Sequence, residues 1–334
     1  MANLIDPTEP AGIEASGIEG SEAATTPTTS GPIPASAAPT SAFGWILVAY
    51  CVAVAAAVLF LWLDLPALSE LSTLQRALIA DVIATLVIFG FSTATSNASF
   101  YDAYWSVAPP FLLAFFVYAE RSDAAEMFDV RLLLVSALVI AWAVRLTHNW
   151  ARGWQGLDHA DWRYVDLKNQ TGALWWLVNL LGIHLMPTLL VFLGCIAIHV
   201  CATPNTAPLN LIDALAVLVG ASAVWIEYTA DNQLRQFRLN PANSGKTLST
   251  GVWAWCRHPN YLGEIGFWVA LFIFSWAAVG SASLNLAVWG PVSMIVLFVA
   301  ITIPMIDKRL SARDGFEQHK ANSFALLPFS HWRG

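Results

Sequence analysis

The chain has 334 residues, of which 57% are hydrophobic and 12% charged, with a mean hydropathy of +0.58 and a formal net charge of -7. So apolar and charge-poor a composition excludes an ordinary soluble domain. The apolar runs are continuous rather than alternating, which excludes a β-barrel, and no basic field suited to nucleic acid is present. The class that remains is an all-α, polytopic membrane protein built as a helical bundle.

Residues 1–42 are rich in Ala, Pro, Ser, Thr and Gly and carry Asp6, Glu9, Glu14, Glu19 and Glu22 without a Lys or Arg. Nothing there offsets the entropy of ordering, so a disordered tail is expected. It lacks the basic start and apolar core of a signal peptide. Eight apolar segments follow, near 43–63, 76–95, 101–118, 131–150, 172–200, 209–230, 261–279 and 284–304. Gly182, His184 and Pro187 interrupt the fifth, which reads as one kinked helix or as an interfacial helix leading into a span. The count is therefore eight, with seven as the alternative.

Thirteen of the sixteen Lys and Arg residues lie at or after Arg145, grouped around 145–168, 235–257 and 308–320. Two spans separate successive groups, so all three fall on one side. By the positive-inside rule that side is the cytoplasm, and both termini lie there. In a bacterium the membrane would be the inner one. The four cysteines form neither a redox pair nor a zinc spacing, and no metal is expected.

Polar residues gather at a few places on the cytoplasmic side. Tyr101, Asp102 and Tyr104 open the third span. Asp102 there is either a helix N-terminal acid or, with Tyr104, the lining of a substrate entrance. Arg145, His148, Asn149 and Arg152 share one face at the end of the fourth span, suited to an anionic ligand or to snorkelling into headgroups. Asp161–Tyr164 (DWRY) is read as part of a loop of some twenty residues. Glu227, Asp231, Arg235 and Arg238 lie four, four and three apart, which fits an intrahelical ion-pair ladder or a nucleotide site with Arg taking phosphate. Lys246 adds a possible phosphate contact. In Gly251–Gly266, Pro259 is placed to start a helix on which Asn260 and Glu264 share a face. Gly263 and Gly266 leave room for a close neighbour. The aromatic and basic residues of that stretch also suit an interface anchor.

In order, YDAYWS, RLTHNW, DWRY, DNQLRQFR (Asp231–Arg238) and HPNYLGE (His258–Glu264) resemble the C-terminal domain of the steroid 5-alpha-reductases, above all the bacterial branch labelled DUF1295. The resemblance covers roughly residues 90–330. It implies a lipid-open helical bundle that binds NADPH from the cytoplasm and reduces a carbon–carbon double bond conjugated to a carbonyl. It also implies that Asp231, Arg235, Arg238, Asn260 and Glu264 hold the cofactor, with Arg238 on the 2′-phosphate and Lys246 and Arg145 nearby. Asn149, Glu227, His258 and Tyr261, from the same clusters, complete the expected cofactor set. Residues 43–334 then form one bundle in which 205–330 carry most of that set. The steroid enzymes hold the substrate carbonyl with a Glu and a Tyr. Here Asp102 stands for the Glu and Trp142 at the Tyr position, so Asp102, Tyr104 and His148 are the candidates for the catalytic acid. The expected partners are the bilayer and a lipophilic, steroid- or isoprenoid-like substrate.

The rival is an S-adenosylmethionine-dependent methyltransferase of the isoprenylcysteine carboxyl type, which carries a similar Arg-His-Pro-x-Tyr stretch. A methyl donor without phosphate has no use for the arginines of DNQLRQFR. A transporter would need a paired ionisable residue in mid-span, and Asp81 is the one obvious candidate.

Overall fold

The computed structural model describes residues 40–63, 66–121, 129–204, 206–280 and 285–328. The expected disordered tail lies, up to residue 39, outside the described residues. The fold is 81% helical, with no strand among the described residues. Among the described residues eight helices are long and apolar enough to cross a membrane: span 1 (Phe43–Trp62), span 2 (Thr73–Ala94), span 3 (Ala98–Glu120), span 4 (Val130–Gly153), span 5 (Trp162–Ala202), span 6 (Leu211–Leu239), span 7 (Pro259–Val279) and span 8 (Leu286–Leu310). The protein is thus a multi-pass membrane protein.

Local chemistry explains the boundaries. Span 2 opens on a capping box in which Ser72 and Gln75 satisfy each other's backbone N–H, and Asn210 with Asp213 does the same for span 6. Asp129 caps span 4 by accepting from the Leu132 N–H. Pro259 begins span 7, as its fixed φ favours, and Gly280 ends it in the left-handed conformation at φ 65°.

Two expectations about extent change. DWRY is helical rather than loop: Asp161 accepts from the Arg163 N–H and starts a helix over Trp162–Thr171. Gly172, at φ 51°, separates that helix from the rest of span 5. The interruption expected near Pro187 is a π-helical widening over Asn179–Leu185, where His184 Nδ1 lies 2.9 Å from the Asn179 carbonyl. Span 6 runs to Leu239, so the helix face expected from the spacing of Glu227, Asp231, Arg235 and Arg238 does extend it beyond its apolar part at 230.

Spans 6 and 7 form the tightest pair. A Cβ at Gly263 would stand 2.7 Å from both the Ala223 carbonyl and Glu227 Cβ, and one at Gly266 would stand 3.0 Å from Ala223 Cβ. The room left by these glycines is taken by a neighbouring helix. Opposite the polar clusters, Arg131 holds Asp213 through two bonds of 2.6 and 2.9 Å and ties the start of span 4 to that of span 6. The hydrophobic core centres on Trp142, Phe267, Trp268 and Phe116.

Candidate functional site

Spans 4, 6 and 7 bring three carboxylates to one guanidinium. Arg145 Nη2 lies 2.5 Å from Glu227 Oε1 and 3.9 Å from Glu264 Oε2, and its Nη1 lies 2.9 Å from Asp231 Oδ2. Asn149 donates to the same Asp231 oxygen at 3.0 Å. All four charged side chains are buried. The span 6 carboxylates turn across to span 4, and Arg235 donates to the Arg152 carbonyl at 3.2 Å. Two oxygens, Glu227 Oε2 and Asp231 Oδ1, are buried without a hydrogen-bond partner. Acceptors left bare in a low-dielectric interior are unfavourable by about 1–3 kcal/mol each, which marks a place built to receive a donor.

An aromatic wall backs this cluster. Glu264 accepts from the Trp142 indole N–H at 3.0 Å and from that of Trp268 at 2.8 Å. Trp142 stacks on Phe267 at 4.4 Å with the planes 3° apart. The rings keep water from the carboxylates and fix Glu264 in place.

One turn beyond, a narrow cleft of about 40 Å³ opens between the ends of spans 6, 7 and 8. Arg238, Lys246, Arg257 and Arg313 line it together with Thr247 and Asn260. Thr247 Oγ1 and Asn260 Oδ1 are buried there without partners. His258 Nε2 is fixed 2.8 Å from Asp307 Oδ1 and stacks on Tyr261 at 5.2 Å. Burial, and then the neighbouring Arg257 and His258, hold His319 below its ordinary value of 6.5, so this wall of the cleft is neutral. Burial pushes the Cys256 thiol up to about 11, which leaves no thiolate nucleophile beside it.

A C-terminal strap closes this cleft. The Asp314 N–H donates to the Gly245 carbonyl at 2.9 Å, and the Thr247 N–H to the Asp314 carbonyl at 3.0 Å. The backbone N–H groups of Arg257 and His258 donate to the carbonyls of Phe324 and Ala325, each at 3.0 Å. The Arg257 guanidinium also reaches the Ser323 carbonyl. The short helix Phe316–Asn322 lies between these attachments, with Phe316 and His319 against the cleft.

A wide apolar cavity of about 660 Å³ adjoins it, bounded by spans 3, 5 and 8 and by the helix that begins at Trp162. Tyr261 of the cleft and Phe298 of the cavity pack at 4.8 Å and form the partition between the two. Its polar lining includes Asp166, Gln170, Lys308 and Arg309 as well as Asp102, which accepts from the Tyr164 hydroxyl at 2.5 Å. Behind it, Asp161 holds Arg163 at 2.7 Å. Burial works against the Asp161 charge, but Arg163 outweighs it and holds the carboxyl below its ordinary value of 3.8.

The candidate residues thus fall into separate places. Arg145, Asn149, Glu227, Asp231 and Glu264 form the carboxylate cluster, and Arg238, Lys246, His258, Asn260 and Tyr261 line the cleft. Arg235 sits beside Arg152 instead. The three acid candidates are not brought together. Asp102 faces the wide cavity, Tyr104 donates to Asp81 in another, and His148 is exposed on an outer groove. Tyr164, Thr247 and Arg313 join the sites without having been candidates. Tyr164 stood in the DWRY motif already singled out, whereas Thr247 and Arg313 had no local signal. Among the described residues no group of His, Cys, Asp and Glu is placed to hold a metal ion.

The chain is 24% identical over 280 residues to an uncharacterized protein of Schizosaccharomyces pombe, covering 76% of this chain and 80% of that one. No solved structure matches it. The family model described as a protein of unknown function, DUF1295, matches residues 88–323, which takes in spans 3 to 8 and both walls of the cleft. The chain belongs to the DUF1295 family.

Proposed function

We propose that the protein is an NADPH-dependent membrane reductase that saturates a carbon–carbon double bond conjugated to a carbonyl in a lipophilic substrate. The observation that carries this reading is the cleft lined by Arg238, Lys246, Arg257 and Arg313, set on the same helix pair as the Arg145 cluster. Guanidinium groups suit the phosphates of a dinucleotide, and the vacant acceptors at Asn260, Thr247, Glu227 and Asp231 suit ribose hydroxyls and a carboxamide. When bound, the cofactor supplies a hydride to the β-carbon of the enone. The wide cavity takes the apolar body of the substrate from the lipid. Within it the Asp102–Tyr164 pair polarises the carbonyl oxygen and holds a proton for it. The Trp142, Phe267 and Trp268 rings exclude water on the cofactor side. The Lys and Arg distribution supports a cytoplasmic cleft.

The test is thermal unfolding of the full-length protein in detergent. At one hundred times its Kd a ligand stabilises by about 2.7 kcal/mol. NADPH is expected to raise the midpoint by several degrees, and NADH and S-adenosylmethionine are expected to leave it in place. Arg238→Ala is expected to abolish the shift. If neither dinucleotide raises the midpoint, the reductase reading is wrong, and a shift with S-adenosylmethionine alone would assign a methyltransferase.

A further inference from the structure

A second large cavity, of about 560 Å³, lies between spans 1, 2 and 3, on the other face of span 3 from the site described above. Most of the chain that builds it precedes residue 88, where the family match begins. Tyr101 and Tyr104, whose rings pack at 5.6 Å, separate the two cavities. The lining is apolar apart from Tyr50, Thr73, Arg76, Asp81, Tyr104 and Tyr118.

Asp81 lies eight residues into span 2, about 12 Å along the helix. It is 4% exposed. Its Oδ1 accepts from the Tyr104 hydroxyl at 2.9 Å, while its Oδ2 has no partner. A carboxyl at that depth is strongly unfavourable unless something completes its hydrogen bonds, and a leucine would pack the same space more stably. The cavity wall therefore includes a buried acceptor for which the protein supplies no donor.

The rim indicates how a ligand arrives. Val58, Phe111, Trp62 and Tyr118 are large apolar side chains left exposed along the opening. Trp62 and Tyr118, near the ends of spans 1 and 3, fit an interfacial belt. Connectivity puts that opening on the membrane side opposite the basic cleft. Arg76, beside it, donates from Nη2 to the Leu61 carbonyl at 2.5 Å, and its buried Nε has no partner. The occupant that suits this lining is lipid-soluble, of a size that fills a pocket of this class, with a hydrogen-bond donor at its leading end for Asp81.

We propose that the cavity between spans 1, 2 and 3 binds a long-chain lipid alcohol, inserted from the bilayer, whose hydroxyl donates to the free oxygen of Asp81. The site does not depend on the reductase reading.

The full-length protein in nanodiscs is irradiated with geranylgeraniol carrying a photoreactive diazirine, or with the O-methyl ether of the same molecule, and the labelled peptides are mapped. The alcohol is expected to label spans 1–3 at least roughly tenfold more efficiently than the ether, which has the same shape but no donor. Asp81→Leu is expected to bring the alcohol down to the level of the ether. Val54→Trp, which fills the cavity from a half-buried lining position, is expected to remove labelling of these spans by both. Equal labelling by alcohol and ether, an unchanged preference in Asp81→Leu, or labelling confined to spans 5 and 8 would each overturn the proposal. The first outcome would mean that the cavity holds ordinary acyl chains, and the last would place the alcohol in the other cavity.

Discussion

Replacing Arg145 by Met tests whether the carboxylate cluster is the electrostatic hub of the bundle. The guanidinium lies 2.5, 3.9 and 2.9 Å from Glu227, Glu264 and Asp231. At an effective dielectric of about 20, each contact is attractive by roughly 4–7 kcal/mol before desolvation is subtracted. Desolvation offsets most of that. Removing one partner of a buried pair nevertheless leaves a bare charge and destabilises by about 3–5 kcal/mol. At about 2 °C per kcal/mol for a bundle of this size, Arg145→Met should unfold roughly 6–10 °C below the wild type. Tryptophan fluorescence in detergent reads the transition. The triple variant Arg145→Met, Glu227→Gln, Asp231→Asn removes two of the three stranded charges with the guanidinium, leaving Glu264, and should recover about half of the loss. A single variant within 1 °C of wild type, or a triple variant less stable than the single one, would refute the argument.

Two further outcomes follow from the packing and from the outer ion pair. Gly263→Val puts a side chain against the Ala223 carbonyl, which cannot move aside; spans 6 and 7 must part, at about 1–3 kcal/mol. Gly90→Ala, with open space around it, should be neutral or slightly stabilising in the same melt. Because Arg163 holds Asp161 below 3.8 in the folded protein, their pairing contributes fully above about pH 4 and is lost as the pH falls through the folded value. The gap in unfolding midpoint between wild type and Asp161→Asn should therefore be widest near pH 6 and narrow toward pH 3; a constant gap would show that Asp161 does not titrate as described.

The spans were legible because each is a long apolar run, and the charge groups lie where runs end. The caps at Ser72 and Asn210 and the first-turn Pro259 of span 7 are local signals too, of which only Pro259 stood out in the sequence. Much of the site is not local. Trp142 meets Glu264 across 122 residues, and Arg145 meets Asp231 across 86. On span 6 alone, the spacing of Glu227, Asp231, Arg235 and Arg238 fits an internal ladder as well as a ligand, and only the arrival of span 4 decides between them. Asp102 and Tyr104 illustrate the opposite lesson. Residues two apart on a helix point to different sides, so grouping them as one catalytic pair ran against helical geometry. The structure sends one to each of two cavities. Asp81, singled out as a mid-span acid, had a partner that no local pattern could name, because Tyr104 lies on the next span.

The C-terminal strap has a kinetic consequence. Its four backbone hydrogen bonds, from Asp314, Thr247, Arg257 and His258, roof a cleft too narrow for a dinucleotide to thread. At a net value of about 0.5–1.5 kcal/mol each, lifting the roof requires roughly 2–6 kcal/mol. A ligand that needs the raised state sees its apparent affinity reduced by the fraction raised, roughly thirtyfold at the low end of that range. Entry then waits on the strap rather than on diffusion. Once the roof closes again, the same four bonds slow departure, so a molecule held here exchanges slowly even where its equilibrium affinity is modest.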